Sequence, residues 1–138
     1  YLKSFVLNKG TSDGVKKGMT VFSDKYLIGT IVEANYLTSR VLLINDLNSK
    51  IPVIIQDSNV NAILSGQGVK RRMVLDYLPE QYQLVPGRNI YTSGKDGIFN
   101  AGTPIGKTTE NGEVKLFVDP NQLSFVTVNL IKPSKEVF

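Results

Sequence analysis

The 138-residue sequence contains no cysteine and no histidine. Without cysteine there are no disulfides, zinc–thiolate sites or thiol nucleophiles, and the chain suits reducing and oxidising surroundings alike. Without histidine neither a Ser-His-Asp nor a Cys-His arrangement can be assembled, and the common zinc and iron sites lose their imidazole ligand. Catalysis would fall to carboxylates, lysine or tyrosine. The twelve acidic residues are scattered singly along the chain (Asp13, Asp24, Glu33, Asp46 and onward). That spacing builds no metal site, so neither a metal nor a cofactor is expected. Long apolar runs are lacking too: nowhere do eighteen such residues stand together, and "YLKSFVLNKG" has neither the length nor the cleavage site of a signal peptide. Whatever anchors or exports the domain is expected to lie outside this chain.

What is present suffices for a globular domain. A hydrophobic content of 41% can fill one ordinary core or two very small ones. The net charge of +4 is modest, and most of the sixteen Lys and Arg are widely spaced. The exception is "KRR", Lys70, Arg71 and Arg72, beside the loop "SGQG". It reads first as a solvated strand end and second as a docking patch for an acidic partner or anionic head groups.

Continuous helical periodicity is hard to find. Gly, Pro, Asn or Asp interrupts the chain every eight to twelve residues, and the runs between, such as "YLIGTIV", "RVLLI", "IPVII" and "FVTVNL", are rich in β-formers. The pattern predicts an all-β chain closing into barrels, which leave no unpaired edge. Only "PEQYQLV", residues 79–85, has room for a helical turn.

One motif suggests nucleotide binding. "AGTPIGKT", residues 101–108, matches a phosphate loop, which needs a helix directly after the Lys-Thr pair. The following "TENGEVKLFV" instead reads as a hairpin turning at Asn111-Gly112. An internal repeat explains the match. Gly10 to Gly18 and Gly94 to Gly102 each span eight positions and contain an Asp-Gly, Asp13-Gly14 and Asp96-Gly97. Both lead to an Ile-Gly, in "IGTIVE" (Ile28 to Glu33) and "IGKTTE" (Ile105 to Glu110), so Gly106 corresponds to Gly29. Further on, "LINDLNSKIPVII" and "FVDPNQLSFVTV" each place a polar turn, around Asp46 or Asp119, between two apolar runs. Gly14, Gly18, Gly29, Gly97, Gly102 and Gly106 are accordingly expected to serve turns or close backbone approach.

These blocks in this order, with "KGTSDGVKKGMTV" and "LDYLPEQYQLVPGRNIYTSGKDGIFNAGTPIG", resemble the extracytoplasmic domain of the bacterial rod shape-determining MreC family over roughly residues 4–131. The one departure is "GIFNAG", where the family often has prolines between Phe and Gly. The resemblance implies two small consecutive β-barrels from a duplicated unit, the second smaller. Residues 1–78 would form the first barrel, 79–88 a connector, 89–131 the second barrel and 132–138 a loose tail. It further implies a non-catalytic scaffold of cell-wall elongation on the extracytoplasmic face of the membrane, in a protein held there by an N-terminal helix absent from this chain. The implied partners are a class B penicillin-binding protein (a peptidoglycan transpeptidase), the membrane protein MreD and further copies of itself. The competing classes are a module binding nucleic acid or an anionic surface, and an enzyme. Dispersed charge disfavours the first and the missing histidine and cysteine the second, so no nucleic-acid partner is expected. Candidate contact residues are Tyr77 and Tyr82 around the connector, with Lys70, Arg71 and Arg72; both tyrosines equally suit packing between the barrels.

Overall fold

The computed structural model describes residues 4–68, 71–123 and 126–130. Eleven strands carry the described residues: β1 (Ser4–Leu7), β2 (Thr20–Ser23), β3 (Tyr26–Ala34), β4 (Ser39–Leu43), β5 (Lys50–Ile55), β6 (Val60–Ser65), β7 (Met73–Asp76), β8 (Asn89–Thr92), β9 (Pro104–Thr108), β10 (Glu113–Leu116) and β11 (Thr127–Asn129). The all-β expectation holds. The one helical element among them is the short 3-10 turn Thr11–Asp13, and residues 79–85 make a simple turn in which the Tyr82 N–H donates to the Pro79 carbonyl.

The strands form two antiparallel sheets. One is an open five-stranded sheet in the order β1-β4-β3-β2-β11, and the other a closed six-stranded barrel in the order β10-β7-β6-β5-β8-β9. These sheets do not divide the chain at residue 78. Strands β5, β6 and β7 belong to the barrel with β8, β9 and β10, while β11 returns to pair with β2 of the first sheet. The unit expected to be smaller is thus the closed one, completed by strands from the first half. The reason is local. After each of the repeated turns around Asp46 and Asp119 the chain runs on into a strand of the opposite sheet: β5 leaves the first sheet for the barrel, and β11 leaves the barrel for the first sheet. The connector 79–88 lies against the barrel, with Leu78, Tyr82 and Leu84 packed on its core. The tail 132–138 falls outside the described residues.

Alternation along the strands sets the barrel core. Ile51, Val53 and Ile55 of β5, Ala62 and Leu64 of β6, Met73, Ile90, Ile105 and Val114 point inward, and Phe99 closes one end from a loop. Leu27 and Ile44 of the first unit join the same cluster, so the two sheets share apolar contact. A second cluster, Val15, Met19, Val21, Ile28, Ile31, Val41 and Leu43, lines the open sheet.

The duplication is visible in atomic detail. Gly29 lies opposite Leu43, and Gly106 opposite Leu116. A Cβ on Gly29 would meet the Leu42 carbonyl and stand 2.7 Å from Val41 Cγ1. A Cβ on Gly106 would meet the Lys115 carbonyl and stand 2.9 Å from Val114 Cγ1. Both glycines thus admit a neighbouring strand too close for any side chain. Gly14, Gly18, Gly97 and Gly102 differ, holding positive φ of 88°, 94°, 73° and 86° in turns.

Candidate functional site

The phosphate-loop match resolves into barrel structure. Lys107 sits exposed on β9 between its partners Asn89 and Lys115, and the chain passes through a hairpin into β10 without forming a helix. Thr108 is buried. Its hydroxyl donates to the Val85 carbonyl (2.8 Å) and accepts the Arg88 N–H (2.9 Å), fastening the end of the connector to the barrel. A hydroxyl so engaged has a structural duty and is turned away from any metal or phosphate. Among the described residues, no three acidic side chains gather into a possible metal site. No helix among them is long and apolar enough to cross a membrane.

The two connector tyrosines part company. Tyr82 is half-buried against the barrel core. Tyr77, just beyond β7, is 84% exposed and holds φ at 62°, a left-handed conformation costly for an aromatic residue. It borders a groove of about 410 Å³ on the outer face of the barrel, with Pro52, Ala62 and Ile63 along it and Ser93, Lys95 and Asp96 at its rim. Pro52 and Ile63 are paired across β5 and β6, and their outward side chains supply the apolar wall. An exposed aromatic beside an apolar groove is the composition of a protein contact site.

The arginines occupy a second depression. Arg71 and Arg72 are exposed on the approach to β7, and Lys70 lies outside the described residues. The "SGQG" loop positions them: the Gly66 N–H donates to the Ser49 carbonyl and the Gly68 N–H to the Asn45 carbonyl, pinning the loop to the first Asp turn. A Cβ on Gly66 would collide with the Asp46 carbonyl, which is why glycine stands there. The resulting cleft, of about 300 Å³, is lined by Asn45, by Arg71 and Arg72, by Asp119, Pro120 and Asn121 of the second Asp turn, and by Met73, Val114, Lys115 and Leu116 of the paired strands β7 and β10. Both turns are held alike: Asp46 accepts the Asn48 N–H at 2.8 Å and Asp119 the Asn121 N–H at 2.9 Å. Tyr77 and the arginines, proposed together from sequence, therefore border separate depressions. Sequence reasoning missed Asn45 and Lys115; their nearness to Arg71 and Arg72 depends on the Gly68–Asn45 loop contact and on the pairing of β10 with β7, which carry no local signal.

Two ion pairs among the described residues stand elsewhere. Arg40 meets Glu33 at 3.1 Å across β3 and β4, and Arg88 meets Asp57 at 2.9 Å. Hydrogen bonds from Asn35 and then Arg40 hold the Glu33 carboxyl below its usual range.

Comparison with known proteins gives consistent results. Residues 1–130 match the family model described as rod shape-determining protein MreC, barrel core. The cell shape-determining protein MreC of Haemophilus influenzae is 36% identical over 105 residues, covering 76% of this chain and 30% of that protein. The Cereibacter sphaeroides protein of the same name is 32% identical over 132 residues, covering 93% of this chain and 44% of its own length. This chain thus spans less than half the length of those curated relatives. Among solved structures, MreC from Pseudomonas aeruginosa superposes with a TM-score of 0.83 at 27% identity, covering 94% of this chain and 90% of that one. MreC from Helicobacter pylori, solved in complex with a penicillin-binding protein, shares the fold with a TM-score of 0.67 at 22% identity, covering 84% of this chain and 78% of that one. On the family match and these relatives together, the chain belongs to the rod shape-determining MreC family, as its barrel core.

Proposed function

We propose that this chain is the extracytoplasmic part of a cell shape-determining scaffold, and that it acts by contact, holding a peptidoglycan transpeptidase of the penicillin-binding class in a productive arrangement. The observation that carries the reading is the family match over residues 1–130. Two further findings support it. The Helicobacter pylori relative forms a complex with a penicillin-binding protein, and the described surface offers an apolar groove flanked by an exposed, conformationally strained aromatic, Tyr77. Strain kept at an exposed residue points to a use for that residue. The chain supplies surface to the assembly and leaves the chemistry to the bound enzyme. Self-association belongs to the same reading: among the described residues β1 is an end strand of the five-stranded sheet, which a second copy is able to extend. The membrane protein MreD and an N-terminal membrane helix complete the proposed assembly.

The test is affinity capture from a bacterial membrane extract with the chain immobilised. Retention of a penicillin-binding transpeptidase, weakened about tenfold or more by Tyr77→Ala in a folded protein, is the expected result. Capture unaffected by Tyr77→Ala would move the contact elsewhere on the surface. Failure to retain any transpeptidase would count against the reading itself.

A further inference from the structure

We propose that the cleft between the two repeated Asp turns is a binding site for an acidic peptide segment, in which Arg71, Arg72 and Lys115 receive carboxylates and Asn45 receives a backbone N–H. This goes beyond the transpeptidase reading, which puts its contact at the Tyr77 groove, and does not depend on it.

Three observations converge. Arg71, Arg72 and Lys115 all border the cleft, and none of them makes an ion pair among the described residues, whereas Arg40 and Arg88 do. Planar guanidinium forks suit carboxylates, which they bind through paired hydrogen bonds. Second, Asn45 lines the cleft while being only 5% exposed, and its Oδ1 finds no hydrogen-bond donor among the described residues. A buried acceptor without a donor is a standing cost to the fold, and an incoming N–H removes it. Third, the half-buried Leu116 gives the same lining an apolar side chain.

The chemistry selects a peptide. An extended peptide offers N–H donors and side-chain carboxylates every few ångströms, matching an acceptor beside a row of cations. A nucleic-acid backbone carries charge without N–H donors.

The test uses the whole chain and a short fluorescein-labelled oligoglutamate peptide with blocked ends, its oligoglutamine counterpart and a labelled oligothymidylate, read by fluorescence anisotropy. Saturable oligoglutamate binding is expected, with oligoglutamine at least about tenfold weaker, since a charge-assisted hydrogen bond contributes roughly a factor of ten or more. The double variant Arg71→Ala/Arg72→Ala should weaken oligoglutamate to the same degree, and Lys9→Gln/Lys95→Gln, the same charge change at exposed lysines that do not line the cleft, should not. Asn45→Leu separates site from fold: it should weaken the peptide while leaving the melting temperature unchanged or raised, because it deletes an unsatisfied buried acceptor. Absence of oligoglutamate binding would overturn the proposal. So would equal binding of oligoglutamine or oligothymidylate, or an equal loss in the Lys9/Lys95 control. Failed transpeptidase capture with intact oligoglutamate binding would sink the function above and leave this site standing.

Discussion

Replacing Gly106 by alanine tests the closed barrel where two of its strands approach closely. The new Cβ would drive into the Lys115 carbonyl and stand 2.9 Å from Val114 Cγ1. The first of these neighbours is backbone, so no side-chain rotation relieves it: β9 and β10 must separate, and the barrel they close must deform with them. Overpacking a tight site costs about 1–3 kcal/mol, and a backbone collision in a closed sheet belongs at the upper end, roughly 2–3 kcal/mol. For a chain of this size each kcal/mol lowers the melting temperature by about 3–4 °C, giving a loss of roughly 6–12 °C. Gly102→Ala is the control, because a Cβ there meets nothing within 4 Å and pays only for φ at 86°, about 1 kcal/mol. Gly29→Ala creates the same collision with Leu42 and Val41, but in an open sheet whose β4 and β1 are free to shift together, so its loss should fall between the two. Thermal melting followed by circular dichroism gives all three values. A Gly106→Ala loss no larger than that of Gly102→Ala would refute the argument that strand proximity fixes this glycine.

Two further outcomes are expected. Tyr77→Gly should raise stability by about 1 kcal/mol by relieving the left-handed backbone, whereas Tyr82→Ala should destabilise by about 1–3 kcal/mol through lost packing on the barrel; denaturant unfolding distinguishes them, and a destabilising Tyr77→Gly would show that the exposed ring contributes to the fold. The Glu33 carboxyl, held low by Asn35 and Arg40, should titrate below ordinary glutamates in carboxyl-carbon NMR, and Asn35→Ala or Arg40→Gln should each raise its midpoint. Its contribution to stability is present above the ordinary carboxylate range and is lost as pH falls through the lowered value. A Glu33 midpoint unmoved by both variants would remove the assigned cause.

Local chemistry was legible in the sequence and long-range pairing was not. Asn111-Gly112 marked its hairpin because the turn needs a positive φ, and Gly112 holds 75°. The Ile-Gly pairs marked β3 and β9 because the repeat set them in equivalent contexts. By contrast, the apolar runs that became β5 and β11 look alike in composition, and nothing within either one states which sheet it joins. That choice depends on partners far along the chain, and it moved the division between units away from residue 78. Burial was equally hidden: Tyr77 and Tyr82 stand five positions apart in similar company, yet one lies in solvent and the other on the barrel. The cleft around Asn45 needed three separate segments to meet, and no single stretch of sequence announces it.

The exchange of strands has a mechanical consequence. The first and last described strands, β1 and β11, are the two edges of one sheet, although the whole barrel lies between them in sequence. Tension applied to both ends of the chain therefore crosses the strands of the open sheet directly and bypasses the barrel, which hangs as a side loop off the line of force. Under a pull the open sheet should yield first, giving a short early extension as an edge strand peels away, while the barrel and the surfaces it presents keep their shape. A protein built this way can be tugged from either end while the face of its barrel keeps its form.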